Sequence, residues 1–305
     1  MTRIVSAAAL VALVAFSTHA NDAAIFDAVG HHYVDNNGVN IHYVTAGEGP
    51  VVFFVHGVPE FWGTWYHQIA DLSKSYKCVA LDTRGYNKSD APEDQAAYTV
   101  DLVMSDMKAV LKDVGATDFT LVGHDYGGYT AWRFAMDNQD IVNKLIICNT
   151  THLRGYRKVV EEGTDEQRAA VNYIDRLQQP GAERMFNPNM MLGFVASFEP
   201  DDVKAVYKEA LTRTNPMSIV NYYRELYPFF MGEKEAPMPD LTMPVLQIHG
   251  LGDDAMDKDG LRDTWNWITE DYTLVTLPGV GHFVQRESHE IVTATMRWWL
   301  DMRQN

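Results

Sequence analysis

The chain contains only two cysteines, Cys78 and Cys148. They lie in two separate apolar segments, KCVALD and LIICNT, and both segments are typical of buried strands. We therefore expect two buried thiols and no disulfide framework. A chain of 305 residues is long enough for one large core with an inserted lid or for two modest domains.

Basic residues are also scarce. The 25 Lys and Arg residues stand against 41 Asp and Glu residues, which gives a formal net charge of −16 and an isoelectric point near 5.0. Because no basic stripe is present, nucleic acid is not an expected partner. No nucleotide-binding loop and no His, Cys or carboxylate cluster with ligand spacing occurs, so neither a cofactor nor a metal is predicted.

Only one long apolar run occurs, from Ile4 to Phe16 at the N-terminus. Arg3 precedes it and the small residues of Thr18-His19-Ala20 follow it, so we predict that residues 1–20 are an export signal. The alternative is a membrane span, but the run is shorter than the ~20 residues that a spanning helix needs. We expect an exported protein of the periplasm or the medium, without stable membrane insertion.

Short β-rich segments alternate with helical patterns, which predicts a mostly parallel sheet flanked by helices. The segments His31 to Val34 and Ile41 to Thr45 are expected to form a hairpin around Asn36-Asn37-Gly38 and, with Val51 to Val55, an opening β-meander. Further strands are predicted at Cys78 to Leu81, Phe119 to Val122, Leu145 to Cys148, Pro244 to His249 and Tyr272 to Leu277. Helices are predicted near Thr64 to Tyr76, after Thr99, after Gly127 and from Glu290 to Met302.

Strand patterns vanish between His152 and about Pro239, where helical segments rich in Met, Phe and Tyr take over. This predicts an α/β core from residues 21–151 and 240–305, with residues 152–239 as an inserted helical cap. Nine apolar residues of this region could line a pocket, although cap interior is the favoured expectation for any single one. They are Met185, Phe186, Met190, Met191, Phe194, Phe198, Phe229, Phe230 and Met231.

The segment Gly123-His124-Asp125-Tyr126-Gly127 follows an apolar strand and opens a helix. This is the spacing of a nucleophile elbow, with a carboxylate as the attacking group. The glycines permit a sharp turn that directs Asp125 into a site, and the helix N-terminus favours its ionised form. A serine esterase needs a hydroxyl at position 125, so that class is excluded. The alternative is a plain strand-to-helix turn with Asp125 as the N-cap.

A second loop, His56-Gly57-Val58-Pro59-Glu60, directly follows the predicted strand Val51 to Val55. At this place the backbone N–H of Val58 can pair with that of Tyr126 as an oxyanion hole. A simple turn is the alternative, since Gly and Pro occur in any loop.

An acid and a histidine follow the last two predicted strands. Asp253 stands three residues after Gly250, and His282 follows the strand Tyr272 to Leu277. The chain order of nucleophile, acid and histidine is that of an α/β-hydrolase. Asp253 is favoured as the acid that orients His282, with Asp254 and then Asp257 as alternatives. The other histidines have expected structural places: the surface or the hairpin for His31, His32, His42 and His67, and loop support for His56 and His124.

The segments HGVPEFWGTW, LDTRGYNKSDAP and LVGHDYGG resemble successive motifs of the epoxide hydrolases, and the resemblance covers nearly the whole chain after residue 20. It implies an α/β-hydrolase fold with a helical cap, from which two tyrosines reach the epoxide oxygen. The segment Val171-Asn172-Tyr173 resembles the one that carries the first, and Asn221-Tyr222-Tyr223-Arg224 the second, so these roles carry to Tyr173 and Tyr223. Tyr222 remains an alternative to Tyr223, and packing is an alternative for both.

The resemblance implies that Asp125 forms an ester with an epoxide, that the tyrosines protonate the epoxide oxygen, and that His282 activates water to release a vicinal diol. The expected partners are a small apolar epoxide and water. Haloalkane or haloacid dehalogenation uses the same three groups and is the enzymatic alternative. Its usual halide or carboxylate contacts are a Trp after the nucleophile, an Asn near the oxyanion loop, or arginines. This chain has Tyr126, Val58 and Tyr129 at those places.

A secreted binding or effector protein on the same scaffold is the alternative from another class, because a fold does not determine a function. The joint presence of Asp125, Asp253 and His282 argues against it. The sequence predicts neither the individual substrate, nor enantioselectivity, nor oligomeric state.

Overall fold

The computed structural model describes residues 22–165, 167, 172–231 and 237–303. The predicted export signal therefore lies outside the described residues, and so does Val171. In the described part of the chain, eight strands form one sheet in the order β1-β2-β4-β3-β5-β6-β7-β8. They are β1 Gly30–Asn36, β2 Val39–Ala46, β3 Val51–Val55, β4 Lys77–Leu81, β5 Phe119–His124, β6 Val142–Cys148, β7 Val245–Gly250 and β8 Tyr272–Leu277.

The hairpin of β1 and β2 is confirmed. Asn37 and Gly38 have φ values of 55° and 86°, which are the positive values that a tight hairpin turn requires at both central residues. The predicted meander is wrong, however, because β2 pairs antiparallel with β4 and not with β3. The β3 strand lies parallel between β4 and β5. Its continuous apolar run needs cover on both sheet faces, and a central parallel position provides that cover.

The remaining pairs, from β4 through β8, are parallel, so their carboxyl ends meet at one edge of the sheet. Of the helices outside the region between β6 and β7, α2 packs against α11 and α3 packs against α4. These helices are α1 Ile25–Ala28, α2 Tyr66–Leu72, α3 Val100–Asp113, α4 Tyr126–Asp137, α10 Val284–Glu287 and α11 His289–Asp301. The architecture is an α/β-hydrolase fold, as expected.

Between β6 and β7 the described residues form helices and loops, apart from one isolated bridge between Leu241 and Ile268. This helical insertion contains α5 Leu153–Glu162, α6 Tyr173–Leu177, α7 Pro188–Val195, α8 Asp201–Arg213 and α9 Pro216–Phe230. Two of its helices begin with Asn followed by Pro. The Asn187 and Asn215 side chains accept hydrogen bonds from backbone N–H groups of α7 and α9, and proline at the first helical position has no N–H to satisfy.

Both cysteines are free and buried, as predicted, on β4 and β6. Burial raises the pKa of each thiol, so neither is a ready nucleophile. His42 lies in the hairpin as expected, but it is fully buried, and its Nδ1 is 2.6 Å from a carboxylate oxygen of Asp82. Among the described helices, none has the length and apolar character needed to cross a membrane.

Candidate active site

The turn between β5 and α4 places Asp125 at the carboxyl edge of the sheet. Its backbone has φ 53° and ψ −124°, a region that costs a non-glycine residue about 1–3 kcal/mol. The turn depends on glycine nearby: a Cβ on Gly127 would lie 2.4 Å from the carbonyl oxygens of Val55 and His56. A Cβ on Gly57 would lie 2.4 Å from the Cβ of Asp125. The glycine spacing therefore has the steric cause expected of a nucleophile elbow.

The two carboxylate oxygens of Asp125 have different partners. Oδ1 accepts a hydrogen bond from the backbone N–H of Val58 at 2.7 Å, and Oδ2 lies 3.3 Å from Nε2 of His282. Burial alone would raise the pKa of Asp125, but the hydrogen bond and charge of His282, the charge of His124 and the Val58 N–H together lower it below its ordinary value. The carboxylate is ionised at neutral pH. Tyr126, the other predicted oxyanion donor, begins α4 directly after it.

The structure brings Asp253 and His282 together. Nδ1 of His282 is 2.9 Å from Oδ2 of Asp253, whose Oδ1 accepts from the N–H groups of Ala255 and Met256 at 2.7 and 3.0 Å. Burial alone would raise the pKa of Asp253, but His282 and these N–H groups lower it to about 2. Burial lowers the pKa of His282, yet the charges of Asp253 and Asp125 raise it well above its ordinary value. Asp254 lines a cavity instead, so the geometry favours Asp253 as the partner of His282.

Asn149 supports this pair and was not predicted from the sequence. Its Nδ2 donates to Oδ2 of Asp253 at 2.7 Å and to the carbonyl oxygen of Gly281 at 3.0 Å, while its Oδ1 accepts from the N–H of Gly250 at 2.8 Å. It follows β6 directly. A polar residue at the carboxyl end of a central parallel strand is the signal that could have identified it.

Tyr173 and Tyr223 come from different helices, α6 and α9, and meet opposite Asp125. Their ring centroids are 5.7 Å apart with planes at 84°, and both side chains line the same cavities as Asp125. Burial raises the pKa of each phenol, and the charge of Asp125 raises it further, so both keep their protons. Tyr222 points elsewhere: its hydroxyl donates to the carbonyl oxygen of Arg84 at 2.9 Å.

Two cavities adjoin these residues. The larger, about 380 Å³, includes five of the nine apolar residues singled out between β6 and β7, namely Met185, Phe186, Met190, Met191 and Phe194. The smaller, about 20 Å³, includes Phe229 and Phe230. The expectation of an interior position holds for Met191 and Phe229, which are buried, but it is wrong for most of the nine. Five are exposed: Met185, Met190, Phe194, Phe198 and Met231. Cavity walls need apolar side chains as much as a core does, and the sequence pattern does not separate the two.

A buried group of four ionisable side chains lies beside the site and joins the helical insertion to the rest of the protein. Glu60 contacts Arg286 at 2.9 Å and His124 at 3.0 Å, and Arg286 also contacts Glu199, from the loop before α8, at 2.9 Å. Burial alone would raise the pKa of Glu60, but the charge of Arg286 and its bond to His124 lower it to about 2. Glu60 belongs to the segment HGVPEFWGTW, but the sequence alone does not indicate its partners.

Among the described residues, one group has side chains close enough to hold a metal ion. The ligand atoms of Asp22, His67 and His289 lie within 4.8 Å of one another. The two imidazole rings are stacked, with centroids 3.5 Å apart and planes at 5°. A metal ion binds in the plane of an imidazole ring, so this parallel stack does not suit an ion shared by both histidines. None of the three residues lines either cavity at Asp125.

The sheet order, the strained turn at Asp125 and the paired Asp253 and His282 define an enzyme of the α/β-hydrolase class. The family model described as alpha/beta hydrolase fold matches residues 50–288. Within that class, the chain belongs to the epoxide hydrolase family, because a relative named as an epoxide hydrolase is 30% identical to it over 89% of this chain and 70% of its own length.

Known proteins of that family resemble the chain over most of its length. Epoxide hydrolase 1 of Caenorhabditis elegans is 30% identical over 288 residues, which are 89% of this chain and 70% of that protein. A solved epoxide hydrolase from metagenomes of hot environments has a TM-score of 0.78 and 30% identity, over 89% of this chain and 98% of its own. The Bacillus megaterium epoxide hydrolase, solved with an inhibitor, has a TM-score of 0.80 and 28% identity, over 88% and 100% of the two chains.

Proposed function

We propose that this hydrolase converts an epoxide to a vicinal diol through an ester on Asp125. The observation that carries the proposal is the surroundings of the Asp125 carboxylate. One oxygen faces His282 at 3.3 Å, the other accepts the Val58 N–H, and the cavities at this carboxylate also contain Tyr173 and Tyr223. Relatives named as epoxide hydrolases support the reaction class.

In the first step, Oδ2 of Asp125 attacks a ring carbon of the epoxide from the side opposite the oxygen. A carbon–oxygen bond to Asp125 forms and the ring carbon–oxygen bond breaks. Tyr173 and Tyr223 donate hydrogen bonds to the released oxygen, and one of them transfers its proton to it. Both phenols are protonated beforehand because burial raises their pKa values. The product of this step is a hydroxyalkyl ester of Asp125 and a tyrosinate.

The second step depends on a change in charge at His282. Two carboxylates, Asp253 and Asp125, raise the pKa of this histidine in the free enzyme. Esterification neutralises Asp125, so one of these charges is lost and the pKa of His282 falls. The imidazolium can then return a proton to the tyrosinate through solvent and become a neutral base.

Neutral His282 then removes a proton from water, and the hydroxide attacks the carbonyl carbon of the ester. The carbonyl oxygen is Oδ1, which already accepts the Val58 N–H at 2.7 Å, and the N–H of Tyr126 is the second donor in this proposal. Collapse of the intermediate breaks the bond between Cγ and Oδ2 of Asp125. The diol leaves with Oδ2 and takes up the proton of the newly added hydroxyl group, whose oxygen stays in the carboxylate. Asp125 is restored as a carboxylate beside a protonated His282.

The test is the intact mass of a purified His282→Ala variant after exposure to a panel of epoxides and haloalkanes, followed by peptide mapping. An adduct on Asp125 with the full mass of an epoxide is the expected result. An alkyl adduct formed with loss of halide would instead identify a dehalogenase. His32→Ala, a histidine change in the β1 strand outside the site, is the matched control and should turn over without accumulating an adduct. Absence of both adduct and diol with every panel member would favour a non-catalytic binding protein and overturn the proposal.

The cellular location and the role of the helical insertion belong to the same proposal. Residues 1–20 act as an export signal, and residues 152–239 act as a cap that supplies the two tyrosines. Expression of the full chain in a Gram-negative host tests the first part: the mature protein should be recovered outside the cytoplasm with an N-terminus near Asn21. Recovery of the uncleaved chain in the cytoplasm would contradict it.

A further inference from the structure

The two cavities at Asp125 differ greatly in size. Asp125, Tyr173 and Tyr223 line both of them, so an epoxide ring held between the carboxylate and the two phenols sits at their junction. Each of the two ring carbons carries its own substituent, and in this inference the two substituents enter different cavities. One substituent enters a cavity of about 380 Å³, and the other enters a cavity of about 20 Å³.

The smaller cavity has roughly a twentieth of the volume of the larger one, about 20 Å³ against about 380 Å³. The shorter ring substituent therefore belongs in it. The walls leave little freedom to expand, because they include aromatic rings in mutual contact. Tyr129 and Phe229 have ring centroids 5.3 Å apart, and Tyr156 and Phe230 have centroids 5.0 Å apart.

The larger cavity lies within the range of ordinary ligand pockets, about 300–1,000 Å³. It contains His282 and Val58 at its inner end, and its lining is mainly apolar. Met190 and Phe194 line it and are 60% and 59% exposed, so the cavity reaches the protein surface between them. A long apolar substituent can therefore extend outward from the ring along this cavity.

We infer that the enzyme selects epoxides with one long apolar substituent and with a short substituent on the other ring carbon. This inference rests on the proposed function, because it assigns the two ring substituents to the two cavities. The substrate class is thus the terminal or nearly terminal epoxide of an apolar chain. Epoxides placed in the middle of a chain are disfavoured, because the smaller cavity offers one of their two arms much less space.

Isomers of epoxyoctane test this selection because they have the same composition and differ only in ring position. The ring lies at the chain end, beside the terminal methyl carbon, or in the middle of the chain with a propyl group on each side. Each methylene that a rigid apolar pocket cannot accommodate costs roughly 10- to 200-fold in kcat/KM. We expect the first two isomers to be hydrolysed with kcat/KM at least about 10-fold above that of the third.

Two variants enlarge the smaller cavity from different elements. Phe230→Ala removes a ring at the end of α9, and Met256→Ala shortens a side chain in the loop after β7. Each should raise kcat/KM for the mid-chain isomer relative to the terminal isomer. Phe194→Ala is the matched control, since it makes the same chemical change as Phe230→Ala in the wall of the larger cavity and should not shift the ratio toward the mid-chain isomer.

The outcomes separate this inference from the proposed function. Diol formation at equal rates from all three isomers would overturn the inference and leave epoxide hydrolysis intact. The ratio of kcat/KM for the mid-chain isomer to kcat/KM for the terminal isomer is the second test. A rise of this ratio in Phe194→Ala, without a rise in Phe230→Ala or Met256→Ala, would also overturn the inference. Failure to hydrolyse any isomer, together with no adduct on His282→Ala, would instead overturn the proposed function.

Discussion

The imidazole of His124 lies 2.9 Å from the backbone carbonyl oxygen of His282 through Nε2, and 3.0 Å from a carboxylate oxygen of Glu60 through Nδ1. A carbonyl oxygen and a carboxylate can only accept hydrogen bonds, so both ring nitrogens of His124 face acceptors. His124 directly precedes Asp125 in the chain and is one of the groups that lower the pKa of the Asp125 carboxyl group. Glu60 and His124 thus connect the two halves of the site.

Glu60→Gln should destabilise the protein substantially. The change removes the carboxylate that faces both His124 and Arg286, while Arg286 keeps its contact with Glu199, so the cost should be at most about 3–5 kcal/mol, the value for a fully broken buried ion pair. Urea unfolding measures the free energy of unfolding of the variant and of the unchanged protein. Glu209→Gln is the matched control, because its ion pair with Arg213 is exposed and should contribute less than about 1 kcal/mol. Equal effects of the two changes would contradict the buried network.

The tyrosine assignment predicts a selective loss of the first chemical step. Replacing Tyr173 and Tyr223 together by Phe removes both donors to the epoxide oxygen and should slow ester formation by about 10²- to 10⁴-fold. Ester hydrolysis should change much less, because its proton transfer uses His282. Rapid-quench measurement of the ester separates the two rates. Tyr222→Phe serves as the control, since that hydroxyl bonds Arg84. An unchanged rate of ester formation in the double variant would refute the assignment.

Asp253→Asn should slow the second chemical step, the hydrolysis of the ester. The change removes the charge that orients His282 and stabilises its imidazolium, at a contact of 2.9 Å, so hydrolysis of the ester should slow by about 10²- to 10⁴-fold. The ester should then accumulate in a mass spectrum after mixing with substrate. Asp254→Asn, which alters the adjacent residue in the wall of the larger cavity, should leave the ester undetectable at steady state. Accumulation of the ester in Asp254→Asn alone would instead assign the orientation of His282 to Asp254.

The two steps should respond differently to pH. Ester formation requires ionised Asp125, whose pKa is lowered from 3.8, so its rate should stay level as pH falls until well into the acid range. Ester hydrolysis requires neutral His282, so its rate should increase with pH, about tenfold per unit below the pKa of His282 in the ester. Single-turnover experiments between about pH 5 and 9 measure both rates, a range that brackets the ordinary pKa of histidine. A hydrolysis rate that decreases with pH would contradict the role of His282.

Sequence reasoning placed most of the sheet because turn residues and apolar runs are local signals. The hairpin at Asn37 and Gly38 and the strand at Tyr272–Leu277 needed nothing beyond them. The meander failed because the pairing partner of β3 is decided by contacts with β4 and β5, which are distant in sequence. Strand order in a parallel sheet depends on crossover connections, and a local pattern does not contain them.

In the site, too, local sequence signals identified some residues, and contacts between distant parts of the chain determined the others. Asp125 and His282 were found from spacing at strand ends, a constraint that the fold imposes on the chain. The sequence did not decide between Asp253 and Asp254, because adjacent side chains in a loop differ only in direction. Asn149 and the partners of Glu60 were missed for a related reason. Their contacts join residues about 100 or more positions apart, at Asn149 with Asp253 and at Glu60 with Arg286.

The buried ion pair between Arg286 and Glu199 bears on how substrate enters the enzyme and how the diol leaves it. Lifting the helical insertion away would break this buried pair. Met190 and Phe194 line the larger cavity and are exposed, so substrate can enter and diol can leave beside them without that break. An apolar opening binds an apolar epoxide better than it binds a dihydroxylated product. Hydrolysis therefore weakens the contact between the opening and the molecule that passes through it.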